Sequence, residues 1–319
     1  MMKWNRSRSR EIAGFAWLAL MATLLPGQGC PTVEPAVVGY PGPLTVVQYE
    51  TTFLSHNLPL TIAYPAEKDQ GPFPLVVLHS GWNQPRGAYY RYAQTLAQWG
   101  YVCIIRAFPE PALFGIGFST RDAQLEQGDA LLDWADAENV NPESPLFGLL
   151  DMDHIGVTGH SQGGQLALAS AFRNPRFDAV VSLDNGYEQP GYELGTGFAH
   201  TAVPVMWLMS EIGYCAGREY SPYPIRLFDY AVAPVIEVTV LGSAHIDFLE
   251  SSPGPNSLGQ IFCGGGTRDQ NEVRALAQRY MVAWFDVYLK GNLASEDTYR
   301  GAGLQADIDS GWVSARSKL

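Results

Sequence analysis

Residues 154–172 constrain the chain more than any other stretch. His154-Ile155-Gly156-Val157-Thr158 is a short apolar run that ends at Gly159, and Gly164 to Phe172 is rich in Ala and Leu. Between them stands Gly159-His160-Ser161-Gln162-Gly163. A strand, a serine bracketed by glycines and a small-residue helix in direct succession call for a tight strand-to-helix turn with the serine at its apex. Gly-x-Ser-x-Gly alone is a weak pattern in a chain with 33 glycines. The flanking strand and helix give it weight. A serine held in strained backbone geometry at such a turn leaves no room for larger side chains beside it, and Gly164 extends the close approach. His160 fills the variable position of the pattern.

The rest of the chain supplies the elements such a turn needs. Leu58 to Tyr64 alternates apolar and polar residues as a strand does. Leu75 to Leu78, Tyr101 to Arg106, Ala179 to Leu183, Val203 to Met209 and Val235 to Leu241 read as strands buried in a parallel sheet. Tyr89 to Trp99, stopped by Gly100, and Thr120 to Ala137 carry helical spacing, as does Glu272 to Leu289. Strands alternating with helices predict an α/β fold, a mostly parallel central sheet with helices on both faces. We expect a signal segment over 1–29, a Pro-rich linker over 30–45, the α/β domain over 46–292 and a C-terminal extension over 293–319, a tail or a packed segment.

The N-terminus reads as an export signal. Lys3, Arg6, Arg8 and Arg10 precede the apolar stretch Ile12 to Leu25, which is short for a membrane span. Cys30 follows it in Pro26-Gly27-Gln28-Gly29-Cys30. That placement resembles a lipoprotein signal, with Gly27 and Gln28 departing from it. Lipidation at Cys30, with membrane attachment through it, and ordinary cleavage with secretion both stay open. Cys103 lies in a strand and is expected to be an inert core thiol. Export makes a disulfide between Cys215 and Cys263 an expectation that spacing alone does not establish. The net charge of −12 and the scattered basic residues give no basis for a nucleic-acid partner.

A serine hydroxyl is a weak nucleophile and needs a base. Two histidines follow Ser161, His200 and His245. His245 comes directly after an apolar strand, where a base belongs, and His200 lies in an irregular stretch. For the acid, Asp184 ends the strand Ala179 to Leu183, and Glu211, after the next strand, is the alternative. Backbone donors for an oxyanion are expected at Gln162, next to the serine, and at Trp82 in His79-Ser80-Gly81-Trp82-Asn83. No metal and no organic cofactor is required by this set.

These segments together resemble the α/β-hydrolase superfamily. The chain looks like the branch of plasma-type platelet-activating-factor acetylhydrolases and dienelactone-hydrolase-like proteins, with polyester-degrading cutinases and chlorophyllases as wider relatives. The carrying segments are Pro74 to Trp82, Gly159 to Gly164, Ser182-Leu183-Asp184 and Gly242-Ser243-Ala244-His245. The resemblance covers roughly residues 58–290. It implies the α/β-hydrolase fold, an acid after the strand that follows the turn helix, and hydrolysis of esters through an acyl-enzyme. Ser80 and Trp82 depart from that branch, which usually has His and a smaller apolar residue there. A dienelactone hydrolase would use Cys where Ser161 stands. The expected substrate is a small-molecule, lipid or polyester ester with a short or medium acyl group. The alternatives are a catalytically silent envelope binding protein on the same fold, and an amidase or peptidase.

Overall fold

The computed structural model describes residues 32–34, 40–82, 84–107, 121–185, 203–212, 214–215, 218–219, 228–229, 231–232, 234–250 and 263–319. The expected signal segment and Cys30 lie outside them. The heart of the molecule is a row of parallel strands: β4 (Phe73–His79), β5 (Val102–Arg106), β6 (Leu150–His160), β7 (Ala179–Leu183), β8 (Val205–Ile212) and β11 (Val235–Ala244). The antiparallel strands β1 (Thr32–Glu34), β2 (Val46–Phe53) and β3 (Leu58–Pro65) extend one side. On the other side β12 (Val313–Lys318) pairs antiparallel with β11. The described strands run in the order β1-β2-β3-β5-β4-β6-β7-β8-β11-β12. Two short strands, β9 (Tyr214–Cys215) and β10 (Arg218–Glu219), form a separate ribbon.

Successive side chains of a strand point to opposite faces, and the sequence is apolar at both parities. Leu75 and Val77 join a cluster with Leu131, Leu132, Leu166 and Leu168, from α2 (Arg121–Val140) and α3 (Gln162–Arg173). Val76 and Leu78 join a cluster with Leu96, Val273, Tyr280 and Trp284, from α1 (Tyr90–Gln98) and α4 (Gln270–Lys290). Helices therefore cover both faces, and each fully buried Leu or Val contributes about 1.5–3 kcal/mol. The ends of α4 are set locally. Asp269 accepts the N–H groups of Asn271 and Glu272, and Gly291 closes the helix at φ 67°, a conformation open to glycine.

Two segments take forms that the sequence pattern left open. The stretch 30–45, read as a linker, contains β1. Residues 293–319 fold as α5 (Asp297–Arg300), α6 (Ala302–Asp309) and β12, so that the chain's end is the last strand of the main sheet. Short, polar Val-Ser-Ala-Arg-Ser-Lys carries little periodicity. Its strand state comes from the exposed ladder of β11 and from the Arg316 pair with Glu237 at 2.8 Å.

Register sets up everything functional. His79 pairs with Gly159, His160 with Leu183, Leu183 with Leu208 and Ile212 with Ala244. The carboxyl ends of β4, β6, β7, β8 and β11 thus align along one edge, where sites of open α/β sheets form.

Deleting residues 313–319 should lower stability by at least about 3 kcal/mol, at roughly 0.5–1.5 kcal/mol per ladder hydrogen bond. Urea unfolding reads this as a lower midpoint. An unchanged midpoint would show that the last strand is only an appendage.

Candidate active site

Ser161 sits between β6 and α3 with φ 57° and ψ −124°. A non-glycine residue there is strained by about 1–3 kcal/mol and persists only when its surroundings over-determine it. The surroundings do so. The Ser161 N–H donates to Leu183 O at 2.9 Å, and its carbonyl accepts from Gly164 and Gln165. A Cβ on Gly159 would lie 2.3 Å from the Gly163 carbonyl oxygen, and one on Gly163 would lie 2.2 Å from His79 O and 2.6 Å from Ser80 O. The turn, the start of α3 and the end of β4 are in backbone-to-backbone contact. Gln162 opens α3, so its N–H has no partner within the helix.

That contact brings the loop after β4 against the turn. A Cβ on Gly81 would meet His160 O at 3.1 Å. The Gly81 N–H is taken by the Tyr89 hydroxyl at 2.9 Å. The next N–H, that of Trp82, has no partner among the described residues, and the Trp82 side chain is 50% exposed at the rim. Asn83 lies outside the described residues.

Asp184 follows β7 with φ 38° and is fully buried. Its Oδ2 lies 2.6 Å from His245 Nδ1. Ser210 donates to it twice, through its N–H to Oδ1 at 3.0 Å and through its hydroxyl to Oδ2 at 2.9 Å. Burial pushes the carboxyl up, but the hydrogen bond and attraction of His245 and the Ser210 N–H more than offset it, holding the group below its usual range. An ionised carboxylate only accepts, so His245 Nδ1 carries the proton. In the neutral tautomer Nε2 is then the basic nitrogen.

His245 begins a short turn, His245–Phe248, at the end of β11. Asp247 secures that turn. Its Oδ2 accepts from the N–H groups of Ala244 at 2.7 Å and Gly266 at 3.0 Å, and its Oδ1 from Gln270 Nε2 at 2.9 Å. The structure brings together Asp184 and His245, and places Ser161, Gln162 and Trp82 on the same edge. It does not bring Glu211 to them: that side chain is exposed, and its Oε2 accepts the Gly242 N–H at 2.6 Å. His200 lies outside the described residues. Cys103 is a free, buried thiol whose titration burial pushes up. Cys263 is disulfide-bonded. The side chain of Cys215 lies outside the described residues, and so therefore does the pairing expected for it.

Four side chains were missed from the sequence. Ser210 stands next to Glu211, and a serine beside a carboxylate carries no signal of its own as a partner for an acid. Asp247, two residues past His245, is the one signal in the sequence that points to a second carboxylate at this turn. Tyr89 reads as the start of a helix, and His160 as a filler in the pentapeptide. Nothing in their spacing announces that they meet.

Residues 40–187 match the family model described as chlorophyllase. No curated protein matches the chain. The match runs from before β2 through the serine turn and stops shortly after Asp184, so His245 lies beyond it. That family belongs to the α/β-hydrolase superfamily, and the sheet order and the strand-turn-helix geometry of this chain are those of an α/β fold of that kind. The class it points to is an ester hydrolase of the α/β-hydrolase type. Of the relatives named from the sequence it reaches the chlorophyllases, not the acetylhydrolase branch.

Gly163→Ala should be strongly destabilising, costing about 1–3 kcal/mol or more, because its Cβ meets carbonyl oxygens and not yielding side chains. Thermal unfolding checks this. A variant as stable as the wild type would mean that the contact between turn and loop is looser than these distances.

Proposed function

We propose that the protein is a serine carboxylic-ester hydrolase that works through an acyl-enzyme, with Ser161 as nucleophile, His245 as base and Asp184 as the acid that orients it. The observation that carries this reading is the buried Asp184 carboxylate 2.6 Å from His245 Nδ1, on the sheet edge that holds the strained Ser161. His245 Nε2 takes the hydroxyl proton as Ser161 Oγ bonds to the ester carbonyl carbon. The N–H groups of Gln162 and Trp82 hold the oxyanion that forms. Collapse expels the alcohol, which leaves with the proton from His245. Water then attacks the acyl-serine, giving up its proton to His245, and the acid departs as Ser161 Oγ is restored. Asp184 stays ionised throughout and stabilises the imidazolium. No step calls for a metal or an organic cofactor.

The substrate we propose is an ester of a short or medium acyl group, as in the acetylhydrolase branch that the motifs resemble. Trp82 at the rim supports an apolar wall beside the carbonyl. The N-terminal charge pattern supports export, with Cys30 either lipidated or near the cleavage point.

Turnover of p-nitrophenyl acetate tests the assignment. Ser161→Ala should lower kcat by at least about 10³-fold, and Asp184→Asn by about 10²–10⁴-fold. Glu211→Gln should stay near wild type. Loss in Glu211→Gln with full activity in Asp184→Asn would reverse the acid assignment. No turnover in the wild type on a panel of short and medium esters would favour a binding protein. Faster cleavage of matched amides would favour an amidase or peptidase.

A further inference from the structure

His160, in the variable position of the serine pattern, is 1% exposed. Its Nε2 lies 3.0 Å from the carbonyl oxygen of His245. A carbonyl only accepts, so Nε2 carries the proton. Burial, then the neighbouring His245 ring, hold the His160 ring neutral, its titration pushed down to about 3. Nδ1 is therefore an acceptor, and the Tyr89 hydroxyl faces it at 3.3 Å. With its proton given to Nδ1, the Tyr89 oxygen accepts the Gly81 N–H at 2.9 Å. Every donor in this chain of three bonds points one way: Gly81 N–H to Tyr89, Tyr89 O–H to His160, His160 Nε2–H to His245 O.

The ends of the chain are the informative part. One is the backbone immediately before Trp82, and the other is the backbone of His245. These are the two elements that must stand on either side of the ester carbonyl, and they come from strands β4 and β11, which are not neighbours in the sheet. Packing alone would be served by apolar rings at both positions, since a buried Tyr or His costs free energy unless every polar atom is paired. Phe248 stacks on the His160 ring and the His245 ring lies tilted against it, with centroids at 6.3 and 4.5 Å, so its plane is held as well as its polar atoms. The relay also removes the Gly81 N–H from the loop's free donors and leaves that of Trp82.

We infer that His160 and Tyr89 are positioning residues that lock the Trp82 oxyanion donor to the His245 turn across Ser161. This rests on the serine-hydrolase reading above. The relay carries no proton in the reaction. It fixes geometry, so its loss should slow both formation and hydrolysis of the acyl-enzyme while leaving substrate affinity nearly unchanged.

The test is steady-state hydrolysis of p-nitrophenyl acetate by the full chain, with kcat expressed per active site counted by the acyl burst. Tyr89→Phe keeps the ring and removes only the hydroxyl. His160→Leu removes both arms, and His160→Asn keeps an acceptor toward Tyr89. Tyr89→Phe and His160→Leu should each lower kcat by roughly ten- to hundredfold, the cost of misplaced reacting groups. KM should stay within about threefold, since the interaction is made in the transition state. His160→Asn should recover part of the loss. The Tyr89→Phe/His160→Leu double variant should be about as slow as the worse single one, because both break one chain. The relay is overturned if kcat per titrated site stays within about twofold of wild type in Tyr89→Phe and His160→Leu, or if the loss appears in KM alone. It is also overturned if the losses multiply in the double variant. Retained turnover in Ser161→Ala would instead overturn the hydrolase reading itself, a separate result.

Discussion

The carbonyl oxygens of His79 and Ser80 stand where any side chain on residue 163 would have to go. This contact between the end of β4 and the first turn of α3 allows no atom between the two backbones. It forces glycine at 163, and the matching contact forces it at 159. It brings the loop of Gly81 and Trp82 beside the serine turn, and it leaves Ser161 at a φ of 57° that no helix or strand would accept. The strain there is about 1–3 kcal/mol. It is small beside the apolar burial on both faces of the sheet, where Leu75, Val77, Val76 and Leu78 are all buried.

On the far side of the serine, the problem is electrostatic. A carboxylate with no exposure is costly unless its oxygens are satisfied. Asp184 meets this with His245 and two bonds from Ser210, and the result is an ionised group held below its usual range. The direction of the proton on His245 follows from that charge. Asp247 does for the His245 turn what Ser210 does for Asp184. The carboxylate that orients the histidine and the one that shapes its backbone are two different residues, one directly after β7 and the other in the turn after β11.

Much of this was legible beforehand, for identifiable reasons. The six central strands are buried on both faces, so their apolar runs stand out, and the helices between them carry a clear period. Ser161, Asp184 and His245 could be read because each follows such a strand directly. The outer strands could not be read so. β1 lies in a Pro-rich stretch, and β12 is a polar segment made into a strand by the open ladder of β11. Glu211 shows the limit of reading an acid from strand order alone: its backbone position suited the role, but its side chain turns out to Gly242. The link through Tyr89 and His160 was not legible at all, since its four residues are scattered from 81 to 245 and only the folded sheet brings them together.

The central claim is that Ser161 is an activated nucleophile and not a strained serine in a silent fold. Covalent labelling with an alkyl fluorophosphonate tests it most directly. The serine oxygen would bond to phosphorus, fluoride would leave, and the proton would pass to His245. Intact mass and peptide mapping should find one adduct, on the peptide that contains Ser161, with ester turnover lost in proportion to labelling. Ser161 left unmodified while esters are still hydrolysed, or turnover that survives full labelling, would contradict the account.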